Sequence, residues 1–117
     1  MVPDRLLVKL AVSSDQSERL GTGLSVAAAA VASGVQVRLW LANDASWLAV
    51  PSQQVRFEDD VRELFLGAAE GAEVSVCARC AQRRGITAED VGAGVSIEGA
   101  AAFVSAVMEP GTRVLVY

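Results

Sequence analysis

The sequence predicts a three-layer α/β/α domain with a five-stranded, mainly parallel sheet. Two observations carry this. Short apolar runs alternate five times with segments of helical periodicity, and each changeover is marked by Gly, Ser, Asn, Asp or Pro. The runs are also apolar enough to be covered on both faces, as parallel strands require. With 117 residues, 52% of them hydrophobic and 21% charged, the chain fits a single domain over 1–117 with a core of its own.

The elements follow in order. Arg5 to Val12 reads as a buried strand with one interruption, Lys9. Ser13 to Ser17 offers helix-capping side chains. From Ser17 to Ser33, Leu20, Leu24, Ala27, Ala28 and Val31 fall near one helical face, and Gly34 is a natural stop. Val35 to Leu41 is a second strand, followed by Asn43-Asp44 as another cap. A short helix over Ala45 to Val50 and a loop from Pro51 to Phe57 come next. Glu58-Asp59-Asp60 opens a helix with the stripe Val61, Leu64, Phe65 and Ala68, ended by Gly71. Glu73 to Val76 is a third strand running into Cys77, and Ala78 to Arg84 a short helix ended by Gly85. Val95 to Ile97 is a fourth strand. Gly99 to Met108 is a helix with Phe103, Val104, Val107 and Met108 on its apolar side, and Arg113 to Tyr117 is the fifth strand.

Composition excludes several kinds of chemistry. With no histidine, Ser-His and Cys-His nucleophile pairs and imidazole metal sites are absent. Fourteen acidic against ten basic residues, net −4, argue against nucleic acid as a partner. The uncharged stretch from Leu20 to Val37 holds five alanines and three glycines, too weakly apolar for a membrane span. Charges at Asp4 and Arg5 do not fit a signal peptide, so a soluble, cytoplasmic protein is expected.

In parallel sheets ligands collect beyond the carboxyl ends of the strands. The segments at that rim hold Ser13, Ser14, Asn43, Asp44, Trp47 and Glu98 as a candidate pocket, together with Cys77-Ala-Arg-Cys80. Cys77 ends a strand and Cys80 lies in the first helical turn, where free N–H groups stabilise a thiolate and Arg79 adds positive charge. A thiolate exchanges disulfides or accepts sulfane sulfur as a persulfide. Two other roles fit the same residues: small buried side chains, or half of a metal clip shared with a second subunit. With two thiols and no imidazole, no metal is expected in one chain, and no cofactor is called for. Ser13-Ser14-Asp15-Gln16-Ser17-Glu18 carries acids that would repel a flavin phosphate, so capping is its expected role. A thioredoxin-like reading shares the Cys-x-x-Cys spacing but not its place after an early strand. A receiver domain needs an aspartate where Cys77 stands.

The segment Glu73-Val-Ser-Val-Cys77-Ala-Arg-Cys80-Ala-Gln-Arg-Arg84-Gly85-Ile86 resembles the strand, cysteine, short helix and Arg-Gly turn of the DsrE/DsrF-like family, with its YchN-like fold. Gly94 to Tyr117 resembles that family's final strand-helix-strand, and the likeness extends over nearly the whole chain. The resemblance implies assembly into homotrimers or hexamers and a part in sulfur trafficking, with another sulfur-carrier protein as partner. Cys77 matches the sulfur-carrying position of the relay members. Cys80 departs from them and is similar to the Cys-x-x-Cys pair of YchN-like members. It would assist or resolve a Cys77 persulfide. The alternative is a non-enzymatic redox-sensing or ligand-binding module that uses the pair as a dithiol/disulfide.

Overall fold

The computed structural model describes residues 4–117. The reading of the chain's start as unlike a signal peptide rests partly on residues 1–3, which lie outside that range. Seven segments alternate before the chain turns back: β1 (Arg5–Ala11), α1 (Ser17–Ala32), β2 (Gln36–Ala42), α2 (Asp59–Ala69), β3 (Ala72–Cys77), α3 (Ala78–Arg84) and β4 (Ser96–Glu98). Then come α4 (Ala100–Val107) and β5 (Thr112–Val116). All pairings are parallel, in the order β4-β3-β2-β1-β5.

The handedness of the crossovers turns that order into layers. β1 to β4 step in one direction across the sheet, so right-handed connections put α1, α2 and α3 on one face. The step from β4 back to β5 runs the other way and puts α4 on the opposite face. The side chains obey the period of two. Val8, Leu10, Val37, Leu39, Leu41, Val74 and Val76 join Leu20, Leu24, Val61, Phe65 and Ala81 in the main core. On the other face Leu7 and Trp40 pack against Ala106, with Phe103 edge-on to Trp40 at 5.0 Å. Away from α4 this second face turns polar, carrying Arg38, Glu73, Ser75, Ser96 and Glu98.

Four expectations need correction. The segment after β2 forms two 3-10 turns, Asn43–Ala49 and Pro51–Arg56, rather than a short helix and a loop. Pro51 supplies a preset φ at the start of the second turn, and Gln54 donates back to the Leu48 carbonyl at 2.9 Å. The stripe of α4 is Ala102, Phe103, Ala106 and Val107. Val104 and Met108 face outward, because the helix meets the sheet over Leu7 and Trp40. β4 is Ser96–Glu98, one residue later than expected, because Ser96 and Ile97 pair with Ser75 and Val76. Finally, Ser13 to Ser17 does not cap α1 through a side chain: Gln16 stands at the cap position, and its Oε1 accepts from the Ser13 N–H. Among the described residues no helix is long and apolar enough to cross a membrane.

Candidate functional site

Cys77 is the last residue of β3 and the residue before α3, so strand direction and helix start together fix its sulfur. Gly85 ends α3 after two turns in the left-handed region (φ 67°), keeping the helix short. Burial raises the Cys77 pKa. The Cys80 main-chain N–H, the Cys80 thiol, the Arg79 main-chain N–H and the Lys9 charge all lower it, and the lowering wins. Both cysteines are free and half-buried. Arg79 is exposed, and its contribution to Cys77 comes through its main-chain amide.

Cys80 faces the turn after β2. Its Sγ accepts the Asn43 N–H at 3.1 Å and lies 4.0 Å from Asn43 Oδ1. Asn43 has φ 52°, the one non-glycine residue in the left-handed region among those described, a conformation that asparagine tolerates better than most. The next residue locks the turn in place. Asp44 Oδ2 accepts the Ser14 N–H at 3.0 Å, and Oδ1 accepts Arg84 Nη2 at 2.9 Å and Nε at 3.2 Å. Arg84 Nη1 also donates to the Cys80 carbonyl at 3.2 Å. The Arg84 guanidinium therefore ties α3 to the turn after β2, and the Asp44 carboxylate ties that turn to the loop after β1.

The Arg84 hydrogen bonds hold the Asp44 pKa below the usual carboxylate value, against some desolvation and with help from Ser14. A carboxylate lowered in the folded state stabilises fully above its unfolded pKa near 4 and loses that contribution as pH falls through the lower folded value. Asp44→Asn is therefore expected to cost about 1 kcal/mol at pH 7, after allowance for solvent screening. The gap from the unaltered protein should close in acid. Urea titrations at pH 7 and pH 3 check it, and an equal gap at both would remove the charge from the explanation.

The other candidate residues separate from the sulfurs. Glu98 is the register partner of Cys77, yet its Oε2 accepts from Arg38 Nη2 at 2.7 Å and from Ser75 Oγ at 3.0 Å. Ser96 Oγ lies 3.1 Å from Ser75 Oγ and completes that polar strip. Trp47 packs against the main core with the Arg56 guanidinium 4.1 Å over its ring. Ser13 is exposed and bonds only locally, to Gln16. The rim thus brings together Ser14, Asn43, Asp44, Cys77 and Cys80, and leaves Ser13, Trp47 and Glu98 with other partners.

Two contributions escaped the residue-by-residue reading. Lys9 shares the sheet face of Trp40, Ser75 and Cys77, with its ammonium 5.0 Å over the Phe103 ring. Its signal was available: a lone cation inside an apolar strand needs a partner. The second is the Asn43 amide, a main-chain group that no residue type advertises. Among the described residues no cluster of three or more Cys, Asp or Glu side chains is placed to hold a metal ion.

The model of the DsrE/DsrF-like family matches residues 7–117, nearly the whole chain. The chain belongs to that family. Its fold is shared with solved structures, among them the ychN protein from E. coli, at 22% identity with a TM-score of 0.79, covering 99% of this chain and 100% of that one. A protein of unknown function from Methanobacterium thermoautotrophicum is 16% identical with a TM-score of 0.67, over 97% and 99% of the two chains. One from Bacteroides thetaiotaomicron, also of unknown function, is 14% identical with a TM-score of 0.72, over 97% and 95%. Among curated proteins none matches. At these identities the likeness extends to the fold of this DsrE/DsrF-like chain, and the chemistry has to be argued from its own residues.

Proposed function

We propose that this DsrE/DsrF-like protein handles sulfur, with Cys77 as the acceptor of a sulfane sulfur atom. The observation that carries the reading is the Cys77 sulfur at the end of β3, favoured as a thiolate by two main-chain N–H groups, the Cys80 thiol and the Lys9 charge. In the step proposed, the Cys77 thiolate attacks the outer sulfur of a persulfide donor R–S–SH. A Cys77 persulfide forms, the donor S–S bond breaks, and R–S⁻ leaves with the electron pair. A second thiolate, supplied by another sulfur-carrier protein, then takes the sulfur, or Cys80 attacks Cys77 Sγ and displaces it as hydrosulfide. Self-assembly into a trimer or hexamer belongs to the same reading, and the outward-facing Val104 and Met108 of α4 are surfaces that contacts between copies would cover.

Intact-mass measurement of the reduced protein after exposure to a persulfide donor tests it. A gain of one sulfur is expected in Cys80→Ser and none in Cys77→Ser, while the unaltered protein shows the gain first and then a Cys77–Cys80 disulfide, two hydrogens lighter than the dithiol, once Cys80 has displaced hydrosulfide. Loss with Cys80→Ser alone would move the acceptor to Cys80, and no gain in folded, reduced protein would overturn the reading.

The closeness of the two cysteines, through which Cys80 lowers the Cys77 pKa, favours one second reading, a redox module that alternates between dithiol and disulfide without turnover. A two-proton mass loss under mild oxidant, reversed by thiols and without any sulfur gain, would put it first.

A further inference from the structure

We infer that the main-chain amide of Asn43 is a receiving site for Cys80 as a departing thiolate, and that it directs attack by incoming thiols onto Cys77. The inference rests on the reading of Cys77 and Cys80 as a working pair and adds the group that gives the pair a direction. Two independent features carry it. The Asn43 N–H is aimed at the Cys80 sulfur at 3.1 Å, and Asn43 sits in a left-handed conformation that costs a non-glycine residue roughly 1 kcal/mol. That conformation is held from outside by the Asp44 contacts to Ser14 and Arg84, and Arg84 also grips the Cys80 carbonyl. The sulfur and its donor are thus fixed to each other by one side chain that bridges the two segments.

The chemistry balances as follows. When Cys77 carries a persulfide, the Cys80 thiolate attacks the Cys77 Sγ. A Cys77–Cys80 bond forms, the bond to the outer sulfur breaks, and hydrosulfide leaves with the electron pair. An external thiolate then attacks the Cys77 Sγ of this disulfide. The new R–S–S–Cys77 bond forms, the Cys77–Cys80 bond breaks, and the electron pair departs on Cys80 Sγ. A hydrogen bond that meets growing negative charge assists that departure. Departure of Cys77 is assisted in turn by its own amides and the Lys9 charge, but not by the Cys80 thiol, which is part of the bond being broken, and the Asn43 amide is the counterweight that turns attack toward Cys77. Cys77 is enclosed by amides as well, but those of Arg79 and Cys80 belong to its own helix start. The Asn43 amide comes from another element and is the one a substitution can withdraw.

The test uses the full-length protein in its Cys77–Cys80 disulfide form, mixed with excess reduced glutathione and stopped with acid. The rate of opening and the position of the glutathione adduct, from peptide mapping, are read for the unaltered protein, Asn43→Gly and Asn43→Val. Glycine keeps the left-handed turn and its N–H, whereas the β-branched side chain of valine forces the turn away from it. The unaltered protein and Asn43→Gly are expected to open at the same rate with the adduct on Cys77. Asn43→Val should open about fivefold more slowly, with adduct shifting toward Cys80. If Asn43→Val does not fold, Arg84→Gln loosens the same turn and should slow opening about twofold with the same shift. Equal rates in all variants would overturn the inference, as would an adduct on Cys80 in the unaltered protein. Slowing by glycine and valine alike would assign the effect to the carboxamide and overturn it too. No sulfur donor takes part, so a protein that accepts no sulfur yet shows this pattern keeps the inference and loses the carrier reading.

Discussion

Leu41→Ala is expected to lower the unfolding free energy by about 3 kcal/mol, within the range of about 2–5 seen for such truncations. Leu41 has no solvent exposure and lies in the middle strand, beside Leu10 of β1 and Val76 of β3. A cavity there is walled by two strands that are themselves paired on their far sides, so the surroundings collapse poorly and the cost stays high. A domain of this kind holds roughly 5–15 kcal/mol in total, so the variant loses a large fraction of it. Urea unfolding should show a lower midpoint with an unchanged slope. Leu66→Ala, at an exposed position of α2, should move the midpoint little, and equal losses at the two sites would contradict the packing described.

Gly23→Val is expected to cost a further amount of the same order, about 3 kcal/mol, from too much volume rather than too little. Gly23 is buried on the face of α1 that meets β1. A Cβ there would stand 2.5 Å from Leu10 Cδ2 and 3.0 Å from the Tyr117 ring, and valine adds two methyl groups beyond it. Gly23→Ala meets those contacts with its Cβ alone, and recovers about 1 kcal/mol from helix propensity, so its loss should be smaller. Thermal melting should fall by roughly 12 °C for valine, at about 4 °C per kcal/mol for a chain of this size. Because the clash is with Leu10, combining Gly23→Val with Leu10→Ala should cost less than the sum of the two. Full additivity would mean that the helix and strand are further apart than described.

Much of the fold was legible because each element carried its own punctuation. Gly34 and Gly85 stand just past the helices they end, and the acids Asp59 and Asp60 open α2. The order of the strands was not legible, since nothing local in Val114 says that it lies beside Leu7 rather than at the other edge. Crossover handedness assigns the helices to faces once that order is known, but does not choose it. The extension of β4 by one residue matters more than its size suggests, because it pairs Glu98 beside Cys77 and holds it in line with Arg38 and Ser75. In the candidate site, the cysteines were found by their spacing and by the helix start behind them. Arg84 and Asp44 lie 40 positions apart, and their pairing has no counterpart in local pattern. The Asn43 amide was out of reach for a different reason: its role depends on a backbone angle, and the residue reads equally well as an ordinary cap.

The pairing of β1 with β5 has a consequence for how the chain assembles. Arg5 donates to the Pro110 carbonyl across 105 positions, and the strands beside that bond close the longest loop in the sheet. Loop-closure entropy disfavours such a contact early, so β1, β2 and β3 come together first, with the cysteine segment among them, and β5 arrives last. In any state in which β5 has yet to dock, β1 presents an unpaired edge. The complement of that edge is Thr112 to Val116, and in concentrated refolding mixtures a neighbouring chain offers it as readily as the molecule's own. Exchange of β5 between two copies is therefore the characteristic misassembly of this topology, and dilution is its remedy.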